Sequence, residues 1–373
     1  MRTVLSLLLT LCLTVSYAQE LALVRDNDLF GYINKSGEYV IKPQFESAKS
    51  FSEGLAAVEQ EKKWGFIDTK GEWALQPEYD KVKYFNSGYA LVLKNDQWSY
   101  IDKSGQELKV PNTEKYYDFE EGVALIRQND KIGFIGTDGQ IILEPTLDEI
   151  KTFRNGYAKV RNGELWGMID NTGKTIIPIE YEEIGNTFNP SGVYGKKGGD
   201  FGIIHNGSFN VIEGADKVWN FHGDSGLTYA RKDKKIGFVN SKGAWVIAPA
   251  FDKARAFSNG LAPVAKDKAW GYINTKGETV IDFQYKDAEV FAANGLAPVK
   301  EKDWGFIDTS GTIIIPTNYS ITAGLAFLSG NDDKGFIGDL ARLKSKKGWG
   351  YFNEKGVLLG NKWYQNAEPF VQN

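Results

Sequence analysis

Two histidines, His205 and His222, one cysteine, Cys12, and 48 carboxylates are the groups from which this chain of 373 residues could build chemistry. Histidine serves as a general base or metal ligand near neutral pH, and a thiolate as a nucleophile or zinc ligand. Two histidines 17 residues apart and a single cysteine fall short of the ligand set that zinc takes. The run Asn331-Asp332-Asp333-Lys334-Gly335 has the acid density of a calcium loop. It lacks the alternating spacing and the distant glutamate, and reads as a solvated turn. No glycine loop leads into a helix in the manner that cradles phosphate. Paired carboxylates could hydrolyse a glycosidic bond, yet 48 acids offer too many pairs for one to stand out. The expectation is therefore no enzyme: no catalytic residue, no cofactor and no metal.

What positions every side chain is a repeat. The stretch Trp64-Gly65-Phe66-Ile67-Asp68-Thr69-Lys70-Gly71 returns at 304–311 and at 270–277. Looser copies centre on Gly31, Ser99, Gly133, Gly167, Gly202, Gly237 and Gly350, so successive anchors lie 34 or 35 residues apart, with a last interval of 45. Self-similarity at roughly 20 to 50 residues marks a solenoid, propeller or array.

Each unit opens with a short apolar strand after a glycine, such as Gly54-Leu55-Ala56-Ala57-Val58. Pro263 and Pro298 within two copies suggest an edge, because proline cannot donate to a ladder. The anchor strand follows, with Trp64 and Phe66 facing one side, Ile67 the other, and Gly65 leaving room for a close neighbour. It stops at Asp or Asn with Gly three places on, as in Asp68-Thr69-Lys70-Gly71, where the acid caps the backbone and glycine supplies the positive φ of a hairpin. A third strand ends at proline (Pro43, Pro77, Pro145, Pro249), and a connector carries aromatic pairs such as Phe45 and Phe51 that plug the gap to the next sheet. Six of the ten tryptophans occupy one slot, which favours a structural role in the core over a row of sugar-stacking indoles.

The summed pattern predicts an all-β protein: a tandem array of about ten 34-residue, three-stranded antiparallel β-meander units over residues 19–373. Whole units in one phase, with none split between the termini, favour an open twisted solenoid-like array. A closed propeller-like ring, or two five-unit rings, is the alternative. The period loosens near 188–226, and an insertion falls near 321–338, a natural place for a binding loop.

Arg2, the apolar run Val4 to Val15 and Ser16-Tyr17-Ala18 before Gln19 read as a signal peptide over residues 1–18, which implies export to the periplasm, the cell surface or beyond. Cys12 lies inside that run, so a cleaved chain would carry no disulfide. The net charge is −4, with both signs mixed at short range, which argues against nucleic acid as a partner. No later stretch is long and apolar enough to span a membrane.

The core Trp-Gly-(Phe/Tyr)-Ile-(Asp/Asn)-x-x-Gly, preceded by Phe-x-x-Gly-Leu-Ala-x-Val, resembles the WG-repeat family, also called KWG repeats, over residues 21–370. The resemblance implies a bacterial β-repeat protein, frequently exported, with a role in protein interaction and no common catalytic residue. Gly223-Asp224-Ser225-Gly226 also looks like the nucleophile loop of trypsin-like serine proteases. Leu227 stands where those continue with glycine, and the loop falls in the repeat's Phe-x-x-Gly slot, so a turn is the simpler reading. The function expected is a non-enzymatic exported scaffold that binds a protein or peptide. A carbohydrate-binding module using Trp73, Trp219 and Trp245 is the alternative, and a carboxylate-dependent hydrolase the third.

Overall fold

The computed structural model describes residues 20–223, 225–321 and 335–371. The expected signal segment 1–18 with Cys12, the acid-rich run Asn331 to Lys334, most of the expected insertion, and Asp224 lie outside the described residues. Among the described residues short strands predominate, and the one helical element is a turn at Leu359–Asn361.

The unit anchored at Gly167 shows how a repeat is made. Tyr157–Asn162, Leu165–Asp170 and Thr175–Tyr181 form an antiparallel meander. At the hairpin, Asp170 Oδ1 accepts the N–H of Thr172 at 2.9 Å and of Lys174 at 3.0 Å, while Gly173 takes φ +84° and donates to Asp170 O. This is the turn expected from the sequence, and it recurs at Asn34, Asp68, Asp102, Asn240, Asn274, Asp308 and Asn353.

Two expectations about proline change. The third strand runs past its proline, as in Trp73–Tyr79 across Pro77. The register between Lys63–Ile67 and Trp73–Tyr79 shifts across Gly65, between Trp64 and Phe66, and again between Phe66 and Ile67, making a bulge. A Cβ on Gly65 would lie 2.6 Å from Leu75 O and 2.8 Å from Pro77 N. Glycine's missing side chain admits the bulge, and proline loses no ladder bond there because the pairing is already interrupted. The first strand is not an edge either: Leu261–Lys266 pairs with Ala269–Asn274 on one side and with Lys253–Ala254 on the other. Pro263 is tolerated because it offers the second neighbour only its carbonyl, which accepts Arg255 N–H at 3.0 Å.

That second neighbour is the connector. Glu149–Ile150 arrives from the preceding unit and pairs with Tyr157–Asn162, so that this sheet and five others have four strands. The continuous strand Ile313–Ile321 shows the hand-over directly, pairing Phe306 through Ile315 and Leu343 through Ile321. Apolar cores consequently lie between successive units. Phe66 packs with Tyr79, Val82 and Phe85 ahead of it, while Ile67 packs with Tyr32, Ile41 and Phe51 behind it. The residue after each anchor is buried in all ten units, from Tyr32 to Tyr351. Connector rings meet it edge-on, as expected of the plugs: Tyr32 and Phe51 at 4.7 Å, Phe66 and Phe85 at 4.8 Å.

The array's ends are joined, as in the ring alternative, and not left as the two free edges of the open form. Asn366–Ala367 pairs with Ala22–Asp26 through Val24 and Ala367, and Leu21 bridges Val371. Ala22, Val24 and Ile33 share a core with Tyr351, Tyr364 and Ala367. The reason lies in the hand-over of strands: each four-stranded sheet borrows its fourth strand from the preceding connector, so the first sheet must borrow from the last. Two five-unit rings are excluded by the same pairing.

Candidate ligand cleft

The tryptophan slot differs from the interior brick expected of it. Trp270 is buried, but Trp64, Trp98, Trp166, Trp304 and Trp349 are half-buried. All but Trp98 carry a cation over the ring: Lys49 Nζ lies 5.4 Å from Trp64, Lys159 4.1 Å from Trp166, Arg255 4.4 Å from Trp270, Lys300 5.8 Å from Trp304 and Arg342 4.7 Å from Trp349. Such contacts contribute about 0.5 to 2 kcal/mol each. The indole is thus an apolar body against the core under a charged cap.

One unit exchanges the partners. In the unit anchored at Gly237, Ile236 fills the tryptophan slot, and the position two before the connector's second aromatic, which holds Lys49, Lys83 or Lys151 elsewhere, holds Trp219. Trp219 stacks on Tyr229 with centroids 4.7 Å apart and planes at 21°, and Lys217 Nζ lies 4.8 Å from its ring. A cleft of about 460 Å³ opens beside it, with Ile236 and Trp270 in its floor and Trp219, Arg231, Lys234, Lys253 and Arg255 around it. Its acids are engaged: Asp252 pairs with Lys235 at 2.5 Å, and Asp287 with Arg255 at 3.1 Å. Lysine 235 together with the backbone N–H of Asp267 holds the Asp252 carboxyl below its ordinary value.

The groups singled out in the sequence are dispersed or occupied. Ser225 Oγ accepts Leu227 N–H at 3.3 Å and faces Leu227 O, a turn closing on itself. His205 ends a hairpin strand opposite Ser208, and His222 is exposed. Among the described residues no group of three His, Cys, Asp or Glu is placed to hold a metal ion. Of the tryptophans outside the slot, Trp73 packs beside Gly65, and Trp245 donates Nε1–H to Glu213 O at 3.2 Å. Trp219 lines the cleft. Sequence reasoning missed Ile236, whose signal was an aliphatic residue in a tryptophan slot.

Among the described residues Asp118 and Glu120 are the carboxyls raised above their ordinary values, both chiefly by burial, and Asp118 Oδ1 is buried without a hydrogen-bond partner. Lys83 lies 4.0 Å from Asp118 and opposes the shift.

The family model described as WG containing repeat matches residues 30–64, 64–98, 98–131, 132–166, 166–192, 236–268, 270–303 and 304–320. The chain belongs to this family. No curated protein matches the WG-repeat chain. Among solved structures it is similar to a eukaryotic initiation factor at 13% identity, over 80% of this chain and 95% of that one, with a TM-score of 0.45. Hsv2p of Kluyveromyces lactis follows at 10% identity over 70% and 96%, with a TM-score of 0.26. PorZ, a surface component of the type-IX secretion system of Porphyromonas gingivalis, has 11% identity over 94% of this chain and 52% of that one, with a TM-score of 0.26. At these scores the likenesses carry no argument about function. Among the described residues no helix is long and apolar enough to cross a membrane.

Proposed function

We propose that this WG-repeat protein is a non-enzymatic scaffold, exported through its signal peptide, that binds a protein or peptide on the ring of connectors. One observation carries the reading: a single connector position changes its chemistry from unit to unit while the framework around it is constant. That position holds Lys49, Lys83, Tyr117, Trp219 and Arg255, each two residues before a buried phenylalanine. A framework held by packing and backbone bonds accepts different side chains there, and in repeat proteins such varied positions specify the partner. The carbohydrate reading is weakened because Trp73 and Trp245 are half-buried against the cores shared with the preceding unit instead of forming a coplanar exposed row.

The test is a three-way screen of the purified chain against a displayed peptide library, a glycan array and a panel of glycan and peptide substrates. Enrichment of a consistent peptide pattern is the expected result. Glycan binding lost on Trp73→Ala or Trp245→Ala, or turnover lost on one acid-to-amide change, overturns it.

A further inference from the structure

The unit at Gly237 keeps the strand arginine of a tryptophan slot but not its indole. In the unit at Gly167, Arg161 pairs in register with Trp166 and lies 5.6 Å from its ring. Arg231 holds the same register opposite Ile236. Replacing an indole by a sec-butyl group vacates ring-sized space, and the cleft of about 460 Å³ lies there. Volumes of about 300 to 1,000 Å³ are those of pockets that enclose small ligands. Two of its lysines, Lys234 and Lys253, are exposed and make no ion pair or hydrogen bond among the described residues, so the rim has positive charge to spare.

The covered indoles decide between ligand classes. Trp270 is capped by Arg255, and Trp219 is stacked on Tyr229, so neither presents an open face on which a sugar could lie. What is open is a cation-lined socket shaped by the absence of a ring. We propose that this socket receives an aromatic side chain of a partner peptide whose neighbouring residues are acidic. The ring would take the place that Trp166 or Trp270 occupies in its own unit, under Arg231, and its flanking carboxylates would meet Lys234 and Lys253. The proposal rests on the peptide-binding reading above and names the partner's chemistry.

The sequence supplies its own test variants. Ile236→Trp restores the tryptophan-glycine pair found in five other units and fills the socket with the residue the fold accepts there. Ile132→Trp makes the same change in the unit at Gly133, where Tyr117 likewise stands in the cation position. Titration calorimetry with an acetylated, amidated Glu-Glu-Phe-Glu-Glu pentapeptide should show binding that falls about tenfold or more in Ile236→Trp and is unchanged in Ile132→Trp. Lys253→Glu should weaken binding several-fold, and pentapeptides with Ala for Phe, or Lys for Glu, should bind at least about tenfold more weakly. Thermal melting checks that each variant folds. Equal affinity in Ile236→Trp, no binding of the pentapeptide to the unaltered protein, or tighter binding of an oligoglucuronate than of the pentapeptide would overturn the proposal. Peptides selected from a library that bind Ile236→Trp and the parent alike would sink this inference while leaving the scaffold reading in place.

Discussion

Asp26 Oδ2 lies 2.9 Å from Lys362 Nζ, tying the first strand of the chain to the loop before its last. Tyr39 joins them, its hydroxyl donating to the same oxygen at 2.6 Å and accepting from Lys362 at 2.7 Å. The Tyr39 hydroxyl and the Lys362 ammonium hold the Asp26 carboxyl below its ordinary value of 3.8. A depressed carboxyl stabilises above its unfolded value, and the gain is lost as pH falls through the folded value.

Asp26→Asn should therefore speed hydrogen exchange over Ala22–Asp26 at pH 7 by several-fold, a local effect of about 1 kcal/mol for this partly exposed cluster. Below the folded value of Asp26 the variant and the parent should exchange alike. Equal exchange at pH 7 would show that the strand pairing closes the ring without this cluster.

Gly65→Ala should cost about 2 to 3 kcal/mol, because its Cβ would press on Leu75 O at 2.6 Å. Ser99 is the control. Its strand Gln97–Asp102 has no third strand beyond it, only the bridge of Ile101 to Glu107, so no carbonyl confronts its side chain. Ser99→Gly should change stability by less than about 1 kcal/mol in denaturant unfolding.

Tyr272 is buried and donates its hydroxyl to Glu289 O, 17 residues on, at 2.8 Å. Tyr32 bonds Lys49 O and Tyr100 bonds Tyr117 O at the same interval. Tyr272→Phe should lower stability by about 1 kcal/mol or slightly more, since a buried carbonyl loses its partner. Glu289 should exchange faster in a hydrogen-exchange experiment, while Tyr32 and its connector should not respond.

Asp118 gives the opposite pH dependence to Asp26. Burial raises its carboxyl, so the folded state binds a proton more readily than the unfolded one. Its ionised form is a cost at pH 7 that disappears as pH falls through the raised folded value. Asp118→Asn should raise the melting temperature at pH 7, and the gain should shrink as the medium is acidified. A lower melting temperature at pH 7 would show that Lys83 and Lys49 repay the burial.

The unit was legible because its signals are local. The Asp-x-x-Gly hairpin, the alternation that sends Phe66 and Ile67 into different cores, and the ring pairs such as Tyr32 with Phe51 follow from backbone preference and period-two geometry. The candidate cleft was not legible, because an isoleucine at 236 is unremarkable until its register with Arg231 and its distance from Trp219 are set by folding.

By itself the sequence determined the repeat, its strands and turns, and which way the residues of the anchor strand face, all of which depend on neighbours within about one unit. Tertiary structure decided that the indoles would be capped by cations, that the ends would join, and that one vacant slot would become a cleft. Each of those rests on side chains brought together from different units, or from opposite ends of the chain, as Asp26 and Lys362 are. Spacing along a chain specifies which way a residue faces; only the packed units specify what it meets there.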